Sequence, residues 1–471
     1  MKNKVSSSTL LAILAVGVMT FSGVTVETSM NITFPTLMSE FNIGLGVVQW
    51  ITTIYLLVLS SVIPISKFLK SRFKTQHLFI IANLLFLIGL LLDAFSPSFY
   101  ILLLGRVIQG IGTGIALPLM FNIILENVPK EKLGLMMGIG SLITAAASAI
   151  GPAFGGAIVT ALGWRYIFVI LMPVLLISLL IGMFSIPKLI QNDLENSRFD
   201  LRSFILIILT FAGLIVGISN ISAYPIISYM IYLPIIIGVI ALILFVKIQN
   251  SSANPILNVS ILKNISYAQY VIAFFINQLI ILGLAFIVPN YVQIINKSNS
   301  SVAGFILLPG AILGAIISPI SGILLDRFGA KKPILSGITL MIIPLLLITV
   351  FSVNLSNYWF LIAYTFIMIG VGMSYGNIMT QGLSYLKPSL SADGNAILTT
   401  VQQFAGAIGT AIVSTIVTKV GQLNVSDNGT FGYTFALAFL MALSLIQFAI
   451  IYSTKNKKLI HNKIKALRVY F

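Results

Sequence analysis

Long apolar stretches, each about as long as a bilayer-spanning helix, recur from one end of this chain to the other. A helix needs about 20 predominantly apolar residues to cross the hydrocarbon core of a membrane. The pattern therefore predicts an all-α membrane protein with fourteen spans and short polar connections. The predicted spans, numbered one to fourteen in chain order, are residues 9–33, 46–66, 77–95, 99–124, 132–158, 164–186, 203–220, 226–247, 268–291, 302–323, 332–353, 357–380, 394–418 and 431–452.

The longest polar connection, residues 188–202, separates the first six spans from the other eight. The fourteen spans therefore divide into a group of six, a pair and a second group of six. This predicts a six-helix bundle at 1–190, a cytoplasmic linker and inserted hairpin at 191–262, a second six-helix bundle at 263–453 and a basic cytoplasmic tail at 454–471. Because the hairpin carries no charge in its apolar part, we expect it to lie at the periphery without coupling chemistry.

The 27 lysines and arginines are distributed very unevenly between the two sides of the membrane. Nearly all of them fall in alternate connections on the side of the N-terminus. Arg165, Lys297 and Lys419 fall on the other side, and Arg106 lies within a span. Since cytoplasmic connections carry the excess of positive charge, both termini are predicted to be cytoplasmic.

Composition excludes several functional classes. Hydrophobic residues make up 58% of the chain and charged residues 8%, with a mean hydropathy of +1.06. The net charge of +16 is spread over separate connections, which argues against a nucleic-acid-binding domain. Cysteine is absent, and the two histidines, His77 and His461, are predicted to be cytoplasmic. We therefore expect no disulfide, no metal site, no enzyme active site and no cofactor.

Glu27 is the carboxylate that the pattern places in the middle of a span, within an apolar run that has no other charge. The other acidic residues, Asp93 among them, are assigned to polar connections or to span ends. A charge near the bilayer centre costs about 2.5–3.5 kcal/mol on insertion scales, so a retained one usually has a function. The alternative is a structural carboxylate that bonds a neighbouring helix.

Arg106 lies about seven residues inside span four, or about 10 Å from its outer end. Glu27 lies at a similar depth in span one, which permits the two groups to pair directly or through water. Alternatively, Arg106 could extend to the outer interface.

Span five contains stripes of small residues at intervals of four, which allow helices to pack closely in lipid. Gly151 and Gly155 lie on one stripe, and Pro152 and Gly156 lie beside it. We expect these four residues to form a close, bent contact with a neighbouring helix.

Several segments together resemble the major facilitator superfamily, and within it the fourteen-helix drug:proton antiporters of Gram-positive bacteria. Each is a weak signal alone, but they occur in the order expected for that family. They are the segment at 27–35, the arginine motif at 104–112 with Arg106, the antiporter motif of Gly151, Pro152, Gly155 and Gly156, and the loop motif at 322–332 with Asp326, Arg327 and Gly329.

The resemblance implies two pseudo-symmetric bundles that rock about a central site, with Glu27 and Arg106 coupling transport to protons. The implied partners are protons, the lipid bilayer and small lipophilic, often cationic, drugs or dyes, exported by a monomer in the bacterial cell membrane. A proton-coupled exporter of one antibiotic, metabolite or peptide is the alternative, and a cation leak is a distant third. Candidate cavity residues are Asn31, Tyr55, Gln109, Asn277, Gln278 and Gln402.

One departure from the family pattern concerns the connection between spans two and three. Lys70 stands where the family has an aspartate that helps to close the cytoplasmic side. The preferred interpretation is a solvated basic loop. The alternative is that Lys70 pairs with Glu126 or Glu131.

Overall fold

The computed structural model describes residues 5–188, 199–252, 255–352, 355–387, 390–422 and 429–454. Over these residues the chain is helical and contains no strand, and fourteen of its helices are long and apolar enough to span a membrane. The predicted fold class is thus confirmed. The spans are Ser7–Phe41, Leu45–Ile65, Thr75–Ala94, Phe99–Asn127, Lys130–Ala161, Arg165–Ser185, Leu201–Ala223, Tyr229–Ser251, Ile265–Ile294, Ser300–Phe328, Lys331–Val350, Asn357–Ser384, Ser391–Gly421 and Thr430–Ser453.

Several helices extend beyond their apolar segments, because hydropathy detects only the part that suits lipid. Span one continues past its apolar run through Glu40 and ends at Phe41. Asn42 then adopts a left-handed conformation, with φ of 52°, and its N–H bonds to the oxygen of Met38, which caps the helix. Glu40 is thereby placed on a helix and not in a connection.

Two bundles of six helices show the same packing pattern. In the first bundle, span four packs against two and three, span one against four, five and six, and span three against six. In the second bundle, span twelve packs against ten and eleven, span nine against twelve, thirteen and fourteen, and span eleven against fourteen. Each of these contacts of the first bundle thus has a counterpart eight spans later, which is the pseudo-symmetry expected for this fold.

The bundles meet mainly along two equivalent pairs of helices, span five with ten and span thirteen with two, and span one also contacts span nine. Span seven packs against thirteen and two, and span eight packs mainly on seven. Most side chains of span eight are exposed. These contacts support a peripheral hairpin, while the domain boundaries stay a prediction.

Because the number of spans is even, the described chain begins and ends on one face, here called the terminal face. At the other face, here called the opposite face, hydrogen bonds join the bundles. Gln293 Nε2 donates to the oxygen of Ile32 at 3.0 Å, and Ser301 Oγ donates to the oxygen of Gly156 at 3.1 Å. The bundles are therefore in direct contact at the opposite face.

Candidate functional site

Glu27 lies near the middle of span one, and only 8% of the residue is exposed. It belongs to a polar stretch of an otherwise apolar helix. Over the part of the chain that the structure describes, its carboxylate has no hydrogen bond and no ion pair, although it interacts electrostatically with Arg106 and Tyr55. The other buried polar residues of this stretch are Thr20, Ser22, Thr25, Ser29, Asn31 and Thr33.

Arg106 is wholly buried between spans two and four. Its Nε donates to the oxygen of Ile51 at 3.1 Å, and its Nη1 donates to Gln109 Oε1 at 2.7 Å. The guanidinium lies over the Tyr55 ring, 4.2 Å from the ring centre. The interpretation that Arg106 reaches the interface is wrong, because its polar contacts lie inside the bundle.

A direct ion pair between Glu27 and Arg106 is not present. Among the described residues, the ion pairs are Lys70 with Glu126 and Arg165 with Glu40. Glu27 and Arg106 lie close enough to interact electrostatically, as their equal depth in the spans suggested. However, Arg106 donates a hydrogen bond to Gln109 and not to Glu27. Its Nη2 has no hydrogen-bond partner among the described residues.

Asp93 corrects the assignment of acidic residues to polar connections. It lies in the last turn of span three and is 0% exposed. Its Oδ2 accepts a hydrogen bond of 2.8 Å from Gln109 Nε2, so Gln109 joins Asp93 to Arg106. The assignment failed because Asp93 is close in sequence to the connection, whereas the helix carries it inward against span four. The available sequence signal was that Asp93 falls inside the predicted span 77–95.

Glycines in spans three and four make room for this chain of side chains. A Cβ on Gly105 would lie 1.8 Å from Asp93 Oδ1, and one on Gly89 would lie 2.5 Å from Gln109 Cγ. Without these two glycines, neither the carboxylate nor the amide would fit between the helices.

Tyr55 is held next to the turn of span one that precedes Glu27. Its hydroxyl donates to Thr113 Oγ1 at 2.8 Å and lies 3.1 Å from the oxygen of Gly23. A Cβ on Gly23 would come within 2.6 Å of the Thr113 hydroxyl. Tyr55 and Arg106 are thus near enough to Glu27 to interact with it electrostatically, and Thr113 is a contributor that the sequence did not indicate.

The remaining candidate cavity residues are distributed over both bundles. Asn31 accepts a hydrogen bond of 2.9 Å from Thr52, which joins spans one and two. Asn277 donates to Ser374 at 2.9 Å, which joins spans nine and twelve. Gln278 is 8% exposed and Gln402 is half-buried. Asn31 and Asn277 therefore act as links between helices in this structure.

The antiporter motif contacts two helices and not one. Gly151 and Gly155 face span one, where added Cβ atoms would meet the Thr28 hydroxyl at 1.9 Å and the Ser29 Cβ at 2.8 Å. Pro152 and Gly156 face span ten. A Cβ on Gly156 would lie 2.3 Å from the oxygen of Ser300. The motif thus lies between the helix that carries Glu27 and the second bundle.

The loop motif lies at the end of span ten on the terminal face. Gly329 has φ of +80°, a conformation that favours glycine, and it ends the helix. Arg327 is exposed. The side chain of Asp326 lies outside the described residues, and its role in the loop motif stays a prediction.

Lys70 forms an ion pair with Glu126 at the terminal-face end of span four. Their side chains are 26% and 19% exposed. Burial lowers the pKa of Lys70. The preferred interpretation of a solvated basic loop is wrong for this residue, and the alternative pairing with Glu126 is present. The side chain of Glu131 lies outside the described residues.

Comparison with known proteins decides the family, because residues 13–410 match the model of the Major Facilitator Superfamily. The chain belongs to this superfamily. It is 37% identical to the lincomycin resistance protein LmrB of Listeria innocua over 398 residues, which cover 84% of each chain. It is 27% identical to the multidrug resistance protein B homolog of Mycobacterium tuberculosis, over 83% of this chain and 73% of that protein.

The superfamily fold is also found in solved structures. A crystal structure of the peptide transporter POT in complex with sulfate matches with a TM-score of 0.69 and 14% identity, over 93% of this chain and 94% of that chain. At this identity the likeness shows the fold alone. As a superfamily member with fourteen spans, the protein is a multi-pass transporter of the bacterial cell membrane and not an enzyme.

Proposed function

We propose that this transporter is a proton-coupled multidrug efflux antiporter for lipophilic, often cationic, compounds. The observation that carries the proposal is the position of Glu27. Its carboxylate is buried in span one without a hydrogen-bond partner in the described structure, and it interacts electrostatically with Tyr55. The names of the relatives, lincomycin resistance and multidrug resistance proteins, support the same class.

Glu27 has two ways to avoid an uncompensated buried charge. It can carry a proton, or it can be ionised next to a cationic compound. A carboxylate that exchanges one for the other couples the entry of a proton to the exit of a drug. Aromatic side chains and one neutralisable charge recognise such compounds without a specific hydrogen-bond pattern.

The direction of transport depends on sidedness. The excess of lysine and arginine supports the terminal face as the cytoplasmic one, with both termini inside. Glu27 then takes its proton from the outside and releases it to the cytoplasm. One charge moved across a potential of 100 mV gains about 2.3 kcal/mol, so one proton drives useful accumulation.

Alternating access requires that the bundles separate at one face while they meet at the other. The contacts of Ile32 and Gly156 with the second bundle support a conformation that is closed at the opposite face. We propose that both bundles, residues 1–190 and 263–453, move as units in one monomer, and that the hairpin contributes no coupling group.

The proposal is tested in inverted membrane vesicles with an imposed pH gradient. Dyes, quaternary ammonium compounds, fluoroquinolones, lincosamides and tetracyclines are added one at a time, and proton flux and compound uptake are recorded together. We expect several chemically different compounds each to dissipate the gradient as they accumulate. Accumulation of one compound alone would indicate a specific exporter. Proton flow without any compound would indicate a leak.

A further inference from the structure

The first bundle contains an unbalanced set of buried charges. Among the described residues, Glu27, Asp93 and Arg106 are the acidic and basic side chains that lie buried within the spans, and they belong to spans one, three and four. One cation can compensate one carboxylate. Leaving a second buried carboxylate ionised without a partner costs several kcal/mol.

Of the two carboxylates, Asp93 is the one that hydrogen bonds connect to Arg106. The hydrogen bonds from Gln109 to Asp93 and from Arg106 to Gln109 form a continuous path between the two charges. Within the described structure, Glu27 has neither a hydrogen bond nor an ion pair with Arg106. Gly105 and Gly89 leave just the space that this path occupies. Spans three and four are thus shaped around an Asp93–Gln109–Arg106 unit.

We propose that Asp93 is a positioning residue that compensates the charge of Arg106 and so leaves Glu27 available to the transported cation. The inference rests on the proposed function, in which Glu27 exchanges a proton. When Glu27 holds the proton, the site is neutral because Arg106 and Asp93 balance. When that proton leaves to water at the terminal face and a monovalent cation binds Glu27, the site is neutral again.

The other charged groups near this site do not disturb the balance. Tyr55 of span two faces both Glu27 and Arg106. Above Asp93, Arg165 at the start of span six bonds the oxygen of Ser96 at 3.0 Å, but its charge is paired with Glu40 at the solvent-exposed edge. Loss of the Asp93 charge therefore leaves Glu27 as the carboxylate that can compensate Arg106.

The test is infrared spectroscopy of the purified full-length protein without a transported compound, in which a protonated carboxyl group gives a distinct C=O band. The band that disappears in Glu27→Gln is followed against pH. In Asp93→Asn, which preserves size, the uncompensated Arg106 favours ionised Glu27. We expect the midpoint of the Glu27 band to fall by about one pH unit or more.

Two variants complete the design. Glu40→Gln removes a carboxylate of the same helix that already has a partner outside the site, and it should leave the midpoint unchanged. Gly105→Ala retains every charge but displaces the Asp93 carboxylate, so it should lower the midpoint in the same direction and gives an independent result if Asp93→Asn accumulates poorly.

The outcomes separate the two levels of the proposal. If the wild-type protein has no Glu27 band at any pH at which it stays folded, the proposed proton exchange at Glu27 fails. If the band is present and its midpoint is the same in wild type, Asp93→Asn and Gly105→Ala, the role of Asp93 is refuted while proton exchange at Glu27 stands.

Discussion

The hydroxyl group of Ser29 donates a hydrogen bond of 2.6 Å to the backbone oxygen of Gly151. This bond ties span one, two residues beyond Glu27, to span five, which in turn packs against span ten of the second bundle. The helix that carries the candidate coupling group is therefore linked to the second bundle through span five, in addition to the direct bond that Ile32 accepts from Gln293 of span nine. Movement of one bundle against the other is expected to change the surroundings of Glu27.

Replacement of Gly155 should separate spans one and five. Its added Cβ would lie 2.8 Å from the Cβ of Ser29 and 3.0 Å from its backbone, where little can yield. We expect Gly155→Ala to cost about 1–3 kcal/mol of stability and to increase proton leak, and Gly155→Leu to abolish coupled transport. Gly376→Ala in span twelve is the control, because among the described residues the Ser318 hydroxyl alone lies within 4 Å of the added Cβ, at 3.7 Å. Unchanged thermal stability, transport and leak in both Gly155 variants would contradict the role.

Replacement of Glu27 with glutamine should remove proton coupling while preserving the fold, because the amide imitates the protonated acid without a charge. We expect Glu27→Gln to lose gradient-driven efflux of a quaternary ammonium dye in vesicles at normal expression. The matched control is Glu40→Gln, in which the lost carboxylate pairs with Arg165 near the opposite face. Full active export by the Glu27 variant would exclude the proposed mechanism.

Two substitutions of Tyr55 separate its hydroxyl group from its ring. Tyr55→Phe loses the hydrogen bond to Thr113 but retains the ring beneath Arg106, and should cost about 1 kcal/mol with transport preserved. Tyr55→Leu also loses the interaction between the ring and the cation, for which we expect a further cost of about 2 kcal/mol because the pair is desolvated. Thermal melting in detergent and dye efflux measure both effects. Equal stabilities of the two variants would show that the ring does not stabilise Arg106.

Charge reversal should reveal the contribution of the Lys70–Glu126 pair. Lys70→Glu and Glu126→Lys each place like charges together at the terminal face, and each should lower stability by about 1 kcal/mol. The double variant restores opposite charges and should recover most of the loss. A double variant as unstable as the sum of the two single variants would mean that the contact contributes nothing.

The sequence was sufficient for the spans because a span depends on a local property, its apolar length. The partners of the buried charges depend on how each helix is rotated about its axis, and hydropathy does not report this rotation. Depth alone thus suggested a pair of Glu27 and Arg106, whereas Arg106 directs a donor toward Gln109. Asp93 was misassigned for the same reason, since its burial is created by the facing helix and by Gly105.

The contact of Lys70 with Glu126 could also not be predicted from the sequence, which contains two possible acidic partners, Glu126 and Glu131, and no means to choose between them. The choice follows from the short helix Ser66–Arg72, which brings Lys70 to the end of span four. The resemblance to the superfamily identified the antiporter motif but not its two different neighbours, because small residues fit closely against any helix.

The contact between spans five and ten includes two close approaches of main chain to main chain. Gly156 lies against the backbone of Ser300, and Gly304 lies against the backbone of Pro152. At these two positions the glycines place no side chain between the two backbones. One helix can therefore slide past the other at these positions without a change of side-chain rotamer. For the rocking proposed above, we expect the hydrogen bonds that cross this surface, such as that from Ser301 to Gly156, to limit the speed.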